Sequence, residues 1–591
     1  MPELKDFFTF FVKDKNREPS KLEVAGHLAD RISAMEQQIR NARQDGDLEI
    51  VDGARDQIKQ LRAEAKKYGL DPNDFPGIYH LFTLVQHKSM TKITASKLYD
   101  YLQCKHKVWR DLWGPQEEKN PEPNPFVELL WERGVKHEEE VVKKLGDFVN
   151  VDQFPINTRV AKTLELMKAK TPLIYHGVIE FGNLSGIPDL LKLNGDGTYT
   201  PIDIKSGRGY ENAGEDEDED GDEKKPKKHY AAQLALYLEI LRNLGFSTKW
   251  EGYIYDIDNH EVLYQLMTPR GVKNKQLWVN YYQELKEEIK PLLENKKQNK
   301  PALGGKCKLC PWYQSCTKKL KEGSDPTLLF NLGRSKRDAL LEDLDVRKVE
   351  DLLNLDIPKL MLAKSKDKKF LPGLAFSTLT SLKKRAEVFV KVKKPVVYQT
   401  FDFPQKLFEL FFDIEDDPTQ GFVYLHGVYE RSKSGERFLD FTAIEKTKEA
   451  EKKAWADFIK YVKGLPADDF CLYHYSHHER TTYKKLREQY PDVITSEELE
   501  ALFSPQASID LYSVVVKNTD WPVSSYSLKD LACHLGFEWR DKTPSGALSI
   551  EWFNRYLETG DQKDLQRIIL YNEDDCKATM ILKDALVSLM K

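Results

Sequence analysis

Apolar positions recur along the chain with two different periods, and each period marks off a region. Over residues 20–70, Leu28, Ile32, Met35 and Ile39 stand at helical spacing among Glu, Lys, Arg, Gln and Ala. That predicts two helices in a hairpin, broken near DGDLEIVDG and bounded by DPNDFPG. From about residue 91 strand and helix patterns mix: TYTPIDIKSG alternates as a strand, and HYAAQLALYLEILRNLG runs as a helix closed by Gly245. Beyond it LLEDLDVRKVEDLLNLD and FLPGLAFSTLTSLKKRAEVFVKVKK read as helices, and near residue 400 the strand LFELFFDIE opens a further α/β region. The pattern therefore predicts an α/β multidomain chain: a helical region over 1–90, an α/β domain over 91–322, a helical connector over 323–396 and a second α/β domain over 397–591.

Composition narrows this picture. A chain of 591 residues is too long for one core, and 40% hydrophobic with 31% charged residues is the balance of an ordered protein in water. No apolar run approaches the ~18 residues of a membrane span, and FFTFFV is too short for a signal peptide. We expect a cytoplasmic protein with no membrane partner. The net charge of −5 gives no global argument for a polyanion partner, so any nucleic-acid surface must be local. Seven cysteines, an odd number, argue against a disulfide scaffold and point to metal ligation. The run GEDEDEDGDEKKPKKH reads as a solvated loop; its sharper reading is a polyanion mimic lying in a basic cleft.

In PIDIKSG, alternation puts Asp203 and Lys205 on one side of the strand and Ile202 and Ile204 on the other. Such a pair is either a plain ion pair or a metal ligand beside a phosphate-polarising cation. Asp189 in LSGIPDLLKL and His137 in ERGVKHEEEVVKKL can complete the donor set of a hard divalent ion. Each also has a plain account: an exposed histidine, a turn-capping aspartate. Gln233 and Tyr237 share a helix face at i, i+4. The order Gly134 with His137, Gly186 with Asp189, Asp203 with Lys205, and Gln233 with Tyr237 resembles the RecB-family nucleases of the PD-(D/E)XK superfamily. The resemblance implies a restriction-endonuclease-like fold and a Mg2+- or Mn2+-dependent DNA nuclease. His137, Asp189 and Asp203 would be ligands, Lys205 would face the phosphate, and Gln233 and Tyr237 would contact substrate or order the site.

CKLCPWYQSC supplies Cys307, Cys310 and Cys316, and Cys104 stands alone far upstream. Four thiolates suit either zinc or a 4Fe-4S cluster. One cysteine before the nuclease motifs and three after them resembles the AddB-type iron-sulfur nucleases, which implies a structural 4Fe-4S cluster, with structural Zn2+ as the alternative. Cys471, Cys533 and Cys576 have no ligand spacing and read as core thiols.

LFFDIEDDP ends a strand with Asp413 and Glu415 on one face, and in IILYNEDDCKATMIL Tyr571 and Asp575 share a helix face at i, i+4. Converging carboxylates are what metal-assisted phosphodiester hydrolysis requires, and a tyrosine hydroxyl can orient the attacking water. The combination resembles the RNase H-fold exonucleases of the DEDD class with a Y-x-x-x-D third motif, which implies 3' to 5' polarity. Where that class has an aspartate, this chain offers Glu479, with His474 nearby; Asp510 reads as structural.

LPGL, with basic residues following it, is compatible with a helix-hairpin-helix offering backbone N–H groups to phosphate. DLDV stands where a first such unit would need glycine. Taken whole, the chain resembles a family of uncharacterised RecB-like nucleases, some of whose members carry an additional helicase. With no G-x-x-x-x-G-K-[ST] motif here, a separate helicase is an expected partner beside nucleic acid, DNA in preference to RNA. The leading expectation is hydrolysis of single-stranded DNA ends. Its alternatives are an RNA-processing exonuclease and a nucleic-acid-binding scaffold with one or both nuclease sites inactive.

Overall fold

The computed structural model describes residues 92–121, 124–211, 225–272, 274–418, 420–466, 468–542 and 545–591. The N-terminal helical hairpin and the acidic part of the charged run lie outside them. The chain divides into two units, the first ending at Lys300 and the second running from Pro301 to the end, with residues 124–130 grouped with the second.

In the first unit, a small sheet joins β1 (Ile93–Thr94), β4 (Ile179–Phe181) and β5 (Leu184–Gly186). The larger sheet has six strands: β2 (Val149–Asn150), β3 (Leu173–Tyr175), β6 (Leu190–Leu193), β7 (Tyr199–Ile204), β8 (Glu251–Tyr255) and β9 (Glu261–Gln265), in the order β9-β8-β7-β6-β3-β2. Three of its helices are α1 (Ala95–Gln103), α2 (Pro125–Val142, whose first residues belong to the other unit) and α3 (Lys228–Asn243). α3 is apolar nearly all round and buries Leu234, Ala235, Leu236, Leu238, Ile240 and Leu241 completely. A helix of that kind belongs in a core, and α1, β5 and β7 pack against it. β7 pairs antiparallel with β6, Leu190 opposite Ile202, and parallel with β8, Ile254 opposite Asp203. This central position places the Asp203 end of β7 beside the turn carrying Asp189.

The second unit holds a five-stranded sheet of β10 (Phe408–Asp417), β11 (Phe422–Ser432), β12 (Gly435–Thr442), β13 (Phe470–His474) and β14 (Ser508–Asp510), ordered β12-β11-β10-β13-β14. The first three strands are antiparallel neighbours, and β13 and β14 add in parallel. A β-bulge between Glu415 and Asp416 ends the regular register of β10, a device common beside active sites. Five helices matter here: α4 (Lys448–Lys463), α5 (His478–Gln489), α6 (Leu528–His534), α7 (Gly546–Thr559) and α8 (Gln562–Met590). α8, 29 residues long, lies on β10 and β11 and packs against α6 and α7.

The connector is helical, as its pattern predicts: Arg334–Leu344, Ile357–Lys366 and Phe376–Glu387 enclose their own apolar cluster. In LPGL, Leu371 and Gly373 both take positive φ, and Lys364 Nζ donates to the Leu371 carbonyl and, at 3.0 Å, to that of Leu374. Asp345 in DLDV also adopts the left-handed conformation, φ 56°, so it turns the chain where a glycine was expected. Among the described residues no helix is long and apolar enough to cross a membrane.

Candidate active sites

β7 brings Asp203 into a fully buried position, and Lys205 follows at the strand's end. Lys205 Nζ lies 2.8 Å from Asp203 Oδ2 and 3.8 Å from Asp189 Oδ2. Backbone groups tie the two segments together: the Ile204 N–H donates to Asp189 Oδ2 at 2.6 Å and the Asp189 N–H to Asp203 Oδ1 at 3.3 Å. Burial first, and then the Asp203 charge, holds the Asp189 carboxyl well above the usual carboxylate range. Burial works against the Lys205 ammonium, but Asp203 and Asp189 outweigh it and its pKa rises. An Asp189 carboxyl held in that way is set up to exchange a proton for a cation.

Glu138, His176 and Asp189 have ligand atoms within 4.8 Å of one another, and two of these three were not singled out by the sequence. Both imidazole nitrogens of His176 are already engaged, Nε2 with Glu138 Oε1 at 2.7 Å and Nδ1 with Asp152 Oδ2. Burial disfavours its charge, yet the two acidic partners push its pKa up to about 10. His176 therefore acts as a cationic brace for Glu138 and Asp152. The open nitrogen belongs to His137: it is buried, and its Nε2 has no hydrogen-bond partner among the described residues. An orphaned imidazole nitrogen is costly, but His137 and Asp203 are not in the group of converging ligand atoms, which joins Glu138 and His176 to Asp189 instead.

Tyr237 is buried, and its ring fills the space where a side chain at Gly186 would be: a Cβ there would meet the ring at 2.5 Å. Its hydroxyl donates to the Ile187 carbonyl at 3.1 Å and accepts from Gln233 Nε2 at 2.9 Å. Gln233 and Tyr237 thus brace the segment leading from β5 to Asp189.

In the second unit Asp413 and Glu415 extend from β10, and Asp575 from α8. Their carboxylate oxygens lie within 4.8 Å of one another. Burial, then the Asp575 charge, raises the Asp413 carboxyl well above its usual value and pushes Glu415 up to about 8. Burial also raises Asp575, with Lys529 opposing it. Three acids crowded in this way store repulsion that a divalent cation relieves, so the donor set fits one.

The site contains residues that sequence pattern did not reveal. Asn572 Nδ2 donates to Asp413 Oδ2 at 2.7 Å, Trp539 Nε1 donates to Asp575 Oδ1 at 2.7 Å, and Lys529 Nζ donates to the Tyr571 hydroxyl at 2.8 Å. Asn572 follows Tyr571 directly, and Lys529 sits in the first turn of α6; neither position carries a motif signal. Glu479, in the first turn of α5, is buried and acts electrostatically on Asp413, but its Oε2 faces His474 Nδ1 at 3.5 Å. Asp510 caps a helix, accepting from Tyr512 N at 2.9 Å, and accepts from Ser476 N at 2.9 Å, a structural role. Cys104, Cys307, Cys310 and Cys316 are each half-buried; Cys471 and Cys576 are buried and Cys533 is exposed.

The family model of the PD-(D/E)XK nuclease superfamily matches residues 93–317, and that of the RNase_H superfamily matches residues 410–587. The chain carries a nuclease domain of the first kind and a domain of the second. No curated protein and no solved structure matches it.

Proposed function

We propose that this protein hydrolyses phosphodiester bonds at the ends of single-stranded DNA, using His137, Asp189 and Asp203 as ligands for Mg2+ or Mn2+ and Lys205 as the cation facing the phosphate. The observation that carries this reading is the buried Asp189–Asp203 pair with Lys205 2.8 Å from Asp203, inside a matched PD-(D/E)XK nuclease domain. A bound divalent ion would supply an activated water. Lys205 then offsets the charge that builds on the phosphate, and Tyr237 and Gln233 keep Asp189 in place.

In the RNase H-superfamily domain Asp413, Glu415 and Asp575 form the second metal site, Tyr571 orients water, and cleavage runs 3' to 5'. Cys104, Cys307, Cys310 and Cys316 hold a structural 4Fe-4S cluster. Duplex unwinding falls to a separate helicase, and the protein works in the cytoplasm. The domain limits at 322 and 396 remain those that the sequence pattern gives. A second reading has the RNase H-like domain binding nucleic acid without cutting it; the engagement of Glu479 with His474 favours this.

Digestion of end-labelled single-stranded DNA and RNA with Mg2+ or Mn2+ tests these readings, using protein purified without oxygen beside Lys205→Ala and Asp413→Ala. We expect Lys205→Ala to lower cleavage by about two orders of magnitude, and the ladders to give the polarity of each site. If the intact, cluster-loaded protein cuts neither polymer, the nuclease proposal fails. Visible absorption with iron and zinc analysis of the same preparation, beside Cys310→Ala, decides between 4Fe-4S and zinc.

A further inference from the structure

The carboxylates of the second site are already partly supplied with donors. Asn572 Nδ2 donates to Asp413 and lies 3.5 Å from Glu415 Oε1, and Trp539 Nε1 donates to Asp575. Each donor uses a lone pair that a cation would otherwise take. The fourth acid nearby, Glu479, has its Oε2 3.5 Å from His474 Nδ1. Against this reduced donor set stands Lys529, whose Nζ is fixed 2.8 Å from the Tyr571 hydroxyl, one helical turn before Asp575, and 4.8 Å from the centre of the tyrosine ring. Its charge acts on Asp413, Glu415 and Asp575 alike.

The donors on Asp413 and Asp575 and the ammonium held beside Tyr571 together give this arrangement a meaning: the remaining lone pairs suit one divalent ion, and Lys529 stands beside them as a fixed positive charge. We propose that the second site holds a single divalent ion and that Lys529 is a catalytic residue supplying, at the scissile phosphate, the positive charge that a second ion would bring. The proposal rests on reading this domain as a metal-dependent nuclease. In the hydrolysis it serves, a water oxygen bonds to phosphorus, the bond from phosphorus to the leaving oxygen breaks, and a water proton ends on that oxygen. Lys529 lies half-buried, and in this role it offsets charge on the phosphate oxygens.

Counting Mn2+ bound per full-length chain, by equilibrium dialysis with electron paramagnetic resonance, tests the proposal without reference to cleavage. Asp575→Asn should lose one ion relative to the intact protein. Loss of two overturns the single-ion proposal while the metal reading of the domain stands; loss of none overturns both. Lys529→Gln keeps a donor to Tyr571 and removes the charge, and Lys529→Arg keeps the charge. In an Asp203→Asn background, which isolates the second site, Lys529→Gln should lower kcat about 100-fold and take up Mn2+ more tightly, while Lys529→Arg retains most of the rate. Circular dichroism melts confirm that each variant is folded. An unchanged kcat together with an unchanged Mn2+ affinity in folded Lys529→Gln would overturn the role assigned to the lysine.

Discussion

A Cβ on Gly186 would lie 2.5 Å from the ring of Tyr237, and one on Gly427 would lie 1.6 Å from Asn572 Oδ1. Gly186 sits where Tyr237 from α3 reaches the Ile187 carbonyl, and Gly427 where Asn572 from α8 reaches Asp413. Gly186→Ala should destabilise the protein by about 1–3 kcal/mol through overpacking and reduce Lys205-dependent cleavage, because the displaced ring no longer braces the approach to Asp189. Urea denaturation and the cleavage assay read both effects; Gly146→Ala, whose Cβ would meet nothing within 4 Å, serves as the control and should change neither. Protonation in the second site gives a further residue-scale outcome. Burial and Asp575 push Glu415 up to about 8 from an ordinary 4.5, so between these values the folded chain keeps a proton that the unfolded chain has released. Stability from this group is present below the lower value and lost as pH rises through the upper one. The metal-free protein should therefore melt at a lower temperature at pH 8 than at pH 5. Glu415→Gln should flatten that slope, as should saturating Mg2+, which takes the proton's place.

At the scale of elements, period and spacing located what one strand or one helix carries by itself. Asp203 with Lys205, Asp413 with Glu415, and Tyr571 with Asp575 are such pairs, because two residues on one face are fixed by the element's own geometry. Groups that depend on how elements meet were not legible. The sequence pairs Asp203 with Lys205 but does not show that α3 packs on β7 and helps bury it. Glu138 and His176 reach Asp189 from α2 and the turn after β3, and Asn572, Trp539 and Lys529 complete the second cluster, none with a spacing that announces it. The connector shows the same limit at a turn. Without glycine in DLDV a first hairpin looked unsupported, yet Asp345 takes φ 56° there, a conformation its short polar side chain tolerates. A β-branched residue would not. Asp345→Val should cost about 1–2 kcal/mol, whereas Asp345→Gly should stay within about 1 kcal/mol of the intact protein, since the exposed Arg347 contact it removes is worth little. Equilibrium denaturation of the two variants separates these outcomes.

For the whole molecule, a net charge of −5 means that nucleic acid must be held by local basic surface against an unfavourable mean field. Basic residues concentrate between 364 and 394, on both sides of LPGL, and the structure sorts them. Lys364 is engaged with the carbonyls of the LPGL turn, Lys383 with the Leu355 carbonyl at 2.8 Å, and Arg385 with Asp520 at 2.8 Å. Lys366, Lys368 and Lys369 are exposed, as are Lys391, Lys393 and Lys394. If this surface tracks the backbone of a single strand, each lysine that neutralises a phosphate adds about 0.7 to the slope of log affinity against log salt. Replacing Lys366, Lys368 and Lys369 together by alanine should reduce that slope by roughly 2 and weaken binding at low salt with little change at high salt. Replacing Lys364 should instead loosen the LPGL turn and lower stability at every salt concentration. Fluorescence anisotropy of a labelled oligonucleotide, taken across a salt series with a cleavage-silent Asp203→Asn, Asp413→Asn chain, measures the slope directly. A triple variant with the slope of the unsubstituted chain would place the binding surface elsewhere on the molecule.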